Sequence, residues 1–253
     1  MVQVTQSQQL EYLDKTFFKE SIDNSKLLKE KEFLKYDIKV GLFSVGIINF
    51  KKFFQKDSEI IIVDVKGYTK GLAKLFFNLN VNYKSFFLEK EFLTLKLIKL
   101  INEDGNKKRE EILFNNRLKK VYYQDKKNEE GEFFFYENKL FDLVSGIYFF
   151  RSNINIFYNG SSLFNIPYIH NGEGIKNLKI KLVGNDKISI SDVYYRSKKF
   201  LCVFESTNKL FEKRSEVYFW ISDDQFKLPL RIETKTRISK IKIELKNVSD
   251  YIK

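Results

Sequence analysis

The sequence predicts a mainly β protein built on an antiparallel sheet, with a helix near its N-terminus and one buried helix in its interior. From about residue 36 onward, apolar and polar residues alternate with period two, as in SEIIIVDVKG and SKIKIELKNV, which is typical of half-buried strands. The connecting pieces, such as NEDGNK and VGND, are rich in Asn, Asp and Gly, which tolerate the backbone angles of tight turns. Strand and helix patterns do not alternate, so a parallel doubly wound sheet is not expected. We divide the chain into an N-terminal helical extension and connector, residues 1–35, and a β domain, residues 36–253.

Size and composition exclude several classes of protein. A chain of 253 residues is long enough to bury about 70 to 75% of the surface that its unfolded form exposes. Its 43% hydrophobic and 31% charged residues differ from the composition of disordered chains, and the single Cys202 cannot form an intrachain disulfide. The longest nearly uncharged apolar run, LFDLVSGIYFF, contains Asp142 and is shorter than the ~20 residues that cross a bilayer. We therefore expect a soluble folded protein with no transmembrane segment.

The first predicted element is an amphipathic helix within residues 7 to 35, followed by a charged connector. Leu10, Leu13 and Phe17 recur at helical spacing, and no turn residues interrupt the pattern. The start of the chain has neither the basic region nor the apolar region of an export signal. The protein is then either cytoplasmic or a chain whose signal was removed before Met1 was added.

Two interior segments interrupt a series of roughly ten to twelve strands. TKGLAKLFFNL predicts a short helix, and KLFDLVSGIYFFRS predicts a buried helix with Asp142 at its positive end and Arg151 at its negative end. The helical spacing of the second segment places five apolar side chains on one face: Leu140, Leu143, Val144, Ile147 and Tyr148.

Consecutive phenylalanines are the most informative apolar feature. Neighbours on a strand point to opposite faces, so each pair places a large ring on both sides of the sheet. One interpretation is a covering layer outside and a filled or ligand-holding interior; the other is that the second rings pack against the helices and the N-terminal segment. The runs are Phe53 and Phe54, Phe76 and Phe77, Phe86 and Phe87, and Phe133 to Phe135.

The positive charge is interpreted as a solvated surface. The formal net charge is +12, but only seven of the 45 basic residues are arginines, and phosphate recognition depends on the bidentate geometry of arginine. The lysines are spread along the chain, so no nucleic-acid partner is expected.

No constellation typical of catalysis, cofactor binding or metal binding is visible. The only histidine, His170, lies in a Gly-rich loop, and Cys202 alternates with apolar neighbours as a core thiol does, so neither has the spacing of a zinc ligand or a catalytic triad. Asp223 and Asp224 form the one notable acid pair, and their place between two strands favours a hairpin turn over acid and base chemistry. The glycines match no phosphate-binding loop. We expect neither a metal nor a cofactor.

Two strings, FDLVSGIYFFRS and VYFWISDDQFKLPLRIETKTRISKIKIEL, resemble the paired signatures of a bacterial family of exported proteins called domain of unknown function 3108. The resemblance spans residues 34 to 248. It implies a curved antiparallel sheet that forms a barrel, half-barrel or sandwich, and a location in the cell envelope or periplasm, with no assigned activity. The matching residues, interpreted as structural, are Asp142, Leu143, Ser145, Tyr148 and Arg151 in the first signature and Trp220, Ser222, Asp223, Asp224, Pro229 and Arg231 in the second.

These observations support one leading function and two alternatives. The leading hypothesis is a non-enzymatic envelope protein that binds an acyl lipid, a polysaccharide or a partner protein through a cup lined by Phe and Tyr. The alternatives are a scaffolding subunit docked through its N-terminal helix and an envelope hydrolase that uses the turn carboxylates. We also predict that Arg151 pairs with an acid such as Asp223 or Asp224, or caps backbone carbonyls.

Overall fold

The fold is described from a computed structural model. It describes residues 31–55, 58–127, 130–159, 163–169, 171–205, 214–236 and 239–246. The predicted N-terminal helix and His170 lie outside these residues. The first strand begins at Glu32, so residues 32–35, which were assigned to the connector, belong to the sheet.

The described chain forms one antiparallel sheet of fourteen strands, which confirms the mainly β prediction and exceeds the predicted number of strands. Sequential neighbours pair throughout except β8 and β9, which are the two edges of the sheet, and one further ladder joins the first strand to the last. The strands are β1 (Glu32–Val40), β2 (Phe43–Phe54), β3 (Ile60–Thr69), β4 (Leu79–Leu88), β5 (Thr94–Glu103), β6 (Asn106–Asn115), β7 (Lys120–Asp125), β8 (Glu132–Phe135), β9 (Leu163–Ile169), β10 (Ile175–Ile190), β11 (Val193–Glu205), β12 (Arg214–Ser222), β13 (Pro229–Lys235) and β14 (Lys240–Leu245).

One α-helix, α1 (Leu143–Asn153), lies in the described chain, within the segment where the sequence predicts it. Asp142 is its N-cap, and its carboxylate accepts hydrogen bonds from the first-turn amides of Val144 and Ser145. Arg151 lies in the last turn, as the dipole argument predicts. The shorter predicted helix is a 3-10 turn, Gly71–Leu75. No helix among the described residues is long and apolar enough to cross a membrane.

Helix α1 packs against strands from both halves of the sheet. Its aromatic side chains contact Phe87 of β4, Phe164 of β9 and Phe200 of β11. A helix can contact strands so distant in the sheet order only if the sheet curves around it. One cluster of the core therefore lies between α1 and the concave face, and two further clusters of buried residues contain no residue of α1.

The predicted apolar face of α1 is partly wrong. Leu143 is 47% exposed and Ile147 is 37% exposed. The buried side chains of the helix instead include Phe149, Phe150 and Arg151. Helical spacing predicted a single apolar face, but α1 contacts the sheet on several sides and buries side chains on more than one face.

The two edges of the sheet, β8 and β9, form no ladder with each other. Phe141, between β8 and α1, forms an isolated parallel bridge with Tyr168 of β9. Its amide donates to the Pro167 carbonyl at 3.0 Å, and its carbonyl accepts from the Ile169 amide at 3.1 Å. This short bridge links the segment that follows one edge to the opposite edge.

The consecutive phenylalanines divide between the two sides of the sheet. Phe87 is buried against α1, whereas Phe133 and Phe135 of β8 and Phe76 after β3 are exposed. The N-terminal segment, the other predicted contact of the second rings, lies outside the described residues. Phe76, Phe133 and Phe135 do not pack against α1. The reason is that α1 lies on the concave side only.

Candidate functional site

Asp142 anchors the start of α1 to β4 and β5. Its side chain is fully buried, and its Oδ2 accepts hydrogen bonds from Ser85 Oγ at 2.7 Å and Thr94 Oγ1 at 3.1 Å. Ser145 Oγ lies 2.7 Å from Thr94 Oγ1. The carboxylate thus satisfies the helix N-terminus and two strand hydroxyls together, which fixes where the helix begins.

Arg151 forms a buried ion pair with Glu32 of β1. Its Nη1 and Nη2 donate to Glu32 Oε1 at 2.9 Å and Oε2 at 2.6 Å, a bidentate arrangement. Tyr148 donates from its hydroxyl to Glu32 Oε1 at 2.7 Å, and the Lys52 ammonium lies 5.8 Å from the centre of the Tyr148 ring. The prediction that Arg151 pairs with an acid is confirmed, but the acid is Glu32, not Asp223 or Asp224.

The same guanidinium holds the turn between β12 and β13. Its Nε donates to the Lys227 carbonyl at 2.9 Å, and its Nη2 donates to the Phe226 carbonyl at 3.1 Å. Residues 226 and 227 follow the acid pair of the second signature. Arg151 therefore connects the helix of the first signature, the hairpin of the second signature and the first strand.

Burial and the attraction between Glu32 and Arg151 set the ionisation of Glu32 and of its neighbour Tyr148. Burial opposes the charge of Glu32, but the Arg151 charge and its hydrogen bonds outweigh that effect, so the pKa of Glu32 lies below its ordinary value of 4.5. Burial and the neighbouring Glu32 charge raise the pKa of Tyr148 well above 10.0. Tyr148 is therefore a neutral hydrogen-bond donor at physiological pH.

The acid pair at 223 and 224 forms the predicted turn. Asp224 Oδ1 accepts hydrogen bonds from the amides of Phe226 at 2.9 Å and Lys227 at 3.1 Å, and from Ser222 Oγ at 2.8 Å. Asp223 lies 3.8 Å from the Lys227 ammonium. These bonds use the Asp224 carboxylate to hold its own hairpin, as Asp does in turns.

The remaining residues of the second signature stabilise the sheet around this hairpin. Trp220 donates from Nε1 to Asp186 Oδ2 at 2.7 Å, and Arg231 lies 2.6 Å from Glu244 Oε2. The Pro229 carbonyl accepts a hydrogen bond from the Tyr36 hydroxyl at 2.8 Å. These contacts join β12, β13 and β14 to β1 and β10.

An apolar cavity of about 260 Å³ lies between α1 and the concave face. It is lined by side chains of α1, β1, β2 and β9 to β14, and Arg151 supplies the one charged group of the lining. Its volume exceeds the ~150 Å³ of an apolar cavity that binds benzene and approaches the ~300 Å³ of small ligand pockets. The aromatic members of the lining are Tyr36, Phe50, Tyr148, Phe150 and Phe219.

Cys202 lines the cavity as a buried thiol. Burial raises its pKa to about 12, so the thiol stays protonated and is a poor nucleophile. The described residues contain no group of three or more His, Cys, Asp or Glu side chains that could hold a metal ion.

Comparison with known proteins identifies the family. A family model described as "Protein of unknown function (DUF3108)" matches residues 35–246. The chain belongs to this family. The resemblance inferred from the two signatures is thereby confirmed, and the structure shows that Arg151 joins the two signatures of this DUF3108 chain.

Among solved structures, the DUF3108 chain is similar to a crystal structure of a β-barrel-like protein of domain of unknown function DUF1849 from Brucella abortus. The two share 6% sequence identity with a TM-score of 0.59, over 85% of this chain and 95% of the other. At this identity the likeness concerns the fold alone. No curated protein matches the sequence.

Sequence reasoning missed two features of the DUF3108 site. Glu32 lies before the alternating region, and nothing in the local sequence marks it as the partner of a residue 119 positions away. The second is a charged cluster in the other half of the concave face: Glu110 lies 3.2 Å from Lys99 and 2.6 Å from Lys108, and accepts from the Tyr123 hydroxyl at 3.1 Å. Glu110 lies two residues before Ile112 on β6, so both side chains point to the inner face of the sheet. This spacing was the signal in the sequence that Glu110 is buried.

Proposed function

We propose that this protein is a non-enzymatic cell-envelope protein that binds a hydrophobic chain, such as an acyl group, in the cavity beneath α1. The observation that carries the proposal is the apolar cavity of about 260 Å³ between α1 and the curved sheet. A well-packed core leaves few voids larger than a water molecule, so a cavity of this size is a candidate ligand site.

The chemistry of the lining favours an acyl group over a polysaccharide. A sugar needs several hydrogen-bonding groups directed at it, whereas this lining is almost wholly apolar. The Tyr148 hydroxyl and four N–H groups of Arg151 already donate within the protein. These polar groups therefore act as supports of the cavity wall.

The envelope location rests on the family resemblance of the two signatures. Fractionation of cells that express the full-length gene tests it, and recovery only with cytoplasmic proteins would contradict it.

A displacement assay tests ligand binding. We expect the purified protein to bind dansylated undecanoic acid with increased dansyl fluorescence, and oleate to displace the probe. Replacing Val217 and Ile232, which line the cavity, with Phe fills the space and should weaken probe binding at least about tenfold.

The control is Val183→Phe, a change of similar size at an exposed position of β10. It should leave probe binding unchanged. Equal binding by wild type and the filled variant, with both folded by circular dichroism, would overturn the proposal. Native mass spectrometry provides an independent measurement, because an acyl species should accompany wild type and be absent from the filled variant.

A further inference from the structure

A group of large apolar side chains projects into solvent at one rim of the sheet. They lie in the turn between β1 and β2, at the first residue of β2 and in the connection between β3 and β4. Leu42 is 97% exposed and Phe76 is 88% exposed. We call this set the apolar rim: Leu42, Phe43, Leu72, Leu75, Phe76 and Phe77.

The two loops of the apolar rim are joined to each other. The Lys70 amide donates to the Val45 carbonyl at 2.9 Å, and the Lys70 ammonium lies 2.6 Å from Asp37 Oδ1. Within the 3-10 turn, Leu72 and Leu75 are three residues apart and therefore lie on the same side. The rim is thus a defined surface in which none of the residues of the 3-10 turn is buried.

A basic groove adjoins the apolar rim. The turn between β5 and β6 is bonded to the end of the rim, because the Asp104 amide donates to the Asn78 carbonyl at 2.9 Å and the Asn78 amide donates to Asp104 Oδ1 at 2.8 Å. The groove, of about 460 Å³, lies on β4 to β6 and the end of β7. Its basic residues are Lys107, Lys108, Arg109, Lys126 and Lys127.

Three of these cations have no ion pair in the part of the chain that the structure describes: Lys107, Arg109 and Lys127. Lys108 pairs with Glu110, and Lys126 lies 3.5 Å from Glu111. Lys107, Arg109 and Lys127 are all exposed at the surface. The groove therefore presents positive charge beside the exposed rings and leucines.

We propose that the apolar rim and the basic groove together dock this protein on an anionic lipid bilayer. Exposed leucines and phenylalanines enter the boundary between headgroups and acyl chains, and neighbouring cations attract anionic headgroups. A second copy of the chain fits the same surface poorly, because a two-fold contact through the rim would bring two basic grooves together. The formal net charge of +12 acts in the same direction. This docking does not depend on a ligand in the cavity.

Vesicle flotation of the full chain tests the proposal. We expect binding to phosphatidylcholine vesicles that contain phosphatidylglycerol, weaker binding to pure phosphatidylcholine, and a decrease at high salt. Leu72→Ser, Leu75→Ser and Phe76→Ser combined should lower the partition coefficient at least about tenfold. Lys107→Glu, Arg109→Glu and Lys127→Glu combined should remove the preference for the anionic vesicles.

Matched controls separate these effects from loss of surface hydrophobicity or net charge alone. Val183→Ser, Val193→Ser and Tyr194→Ser change three exposed apolar residues elsewhere, and Lys179→Glu, Lys181→Glu and Lys187→Glu make the same change in net charge on β10. Both controls should float like wild type.

Two outcomes would overturn the proposal. One is that the rim variant binds vesicles as well as wild type does, or that both control variants lose vesicle binding as much as the rim and groove variants do. The other is a dimer, detected by light scattering, that the rim variant dissociates while no protein floats, because a second copy would then occupy the rim. A positive flotation result with failed probe displacement would leave docking intact and reject only the acyl-binding function.

Discussion

At the residue scale, Arg151 is the main structural link of the interior. It is almost fully buried, forms a bidentate pair with Glu32 and donates to two carbonyls of the hairpin between β12 and β13. A buried charge needs this many partners because its transfer from water is costly. Its replacement by lysine would keep the charge but lose the fork that reaches the acid and the hairpin together.

We predict that Glu32→Gln lowers the free energy of unfolding by about 3 to 5 kcal/mol at neutral pH, because it leaves the Arg151 charge buried without its counterion. The folded-state pKa of Glu32 lies below 4.5, so its contribution is complete above pH 4.5 and is lost as the pH falls through the folded-state value. The difference in the free energy of unfolding between wild type and Glu32→Gln should therefore be constant above pH 4.5 and should decrease below it. Urea titrations at several pH values measure it.

The control for this prediction is Glu59→Gln. Glu59 pairs with Lys90 at 2.6 Å, but both side chains are largely exposed, so the change should leave the free energy of unfolding nearly unchanged. A stability difference for Glu32→Gln that is equally small, or that stays constant well below pH 4.5, would show that the ion pair does not stabilise the fold.

At the element scale, α1 lies close to β9 because Gly146 has no side chain. A Cβ at this position would lie 3.1 Å from Ile166 Cγ2 and 3.6 Å from Phe141 Cβ. The close approach also positions the helix for the bridge that Phe141 makes to β9. The depth of α1 within the curved sheet therefore depends on this glycine.

We expect Gly146→Leu to lower the free energy of unfolding by about 2 kcal/mol or more, because the added atoms force α1 away from β9. Gly146→Ala is the comparison variant. Its gain of ~1 kcal/mol in helix propensity offsets the tight contact with the Ile166 methyl, so its stability should stay within about 1 kcal/mol of wild type. Thermal and urea denaturation measure both changes. A leucine variant as stable as wild type would mean that α1 has room to shift.

Alternation identified the strands but not every inward side chain. Ile112 and Phe114 of β6 point inward as the pattern predicts, and Glu110 shares their parity and is buried too. The register between β5 and β6 places Lys99 opposite Glu110, and Lys108 lies two residues before Glu110 on β6 itself. A pattern based on hydrophobicity cannot find such a residue, because its burial depends on charges that other strands provide.

At the scale of the whole molecule, the interior has two different halves. The cavity side, formed by β1, β2 and β9 to β14, is apolar, whereas β5 to β7 carry the cluster around Glu110. Helix α1 contacts both halves, through Ser145 with Thr94 of β5 and through Phe150 with Phe200 of β11. The ladder between β1 and β14 and the bridge at Phe141 connect them at two further places.

We predict that the two halves unfold together. Fluorescence of Trp220, the only tryptophan, reports on the half that contains β12, whereas far-ultraviolet circular dichroism reports on all strands. Because α1 packs on both halves, the two urea transitions should have the same midpoint. A tryptophan transition that clearly precedes or follows the dichroism transition would show that the halves are independent units.

The sequence by itself determined the mainly antiparallel β class, the position of the interior helix and the turn at Asp223 and Asp224, because alternation, capping and turn chemistry are local properties. Its two signatures also carried the resemblance to the family. It also predicted that Arg151 needs an acid or carbonyl partner. Only the tertiary structure decided that this acid is Glu32, that a cavity lies beneath α1, and which rings are buried. These features depend on how the sheet curves around the helix and on pairings between residues far apart in the chain, and local spacing does not encode them.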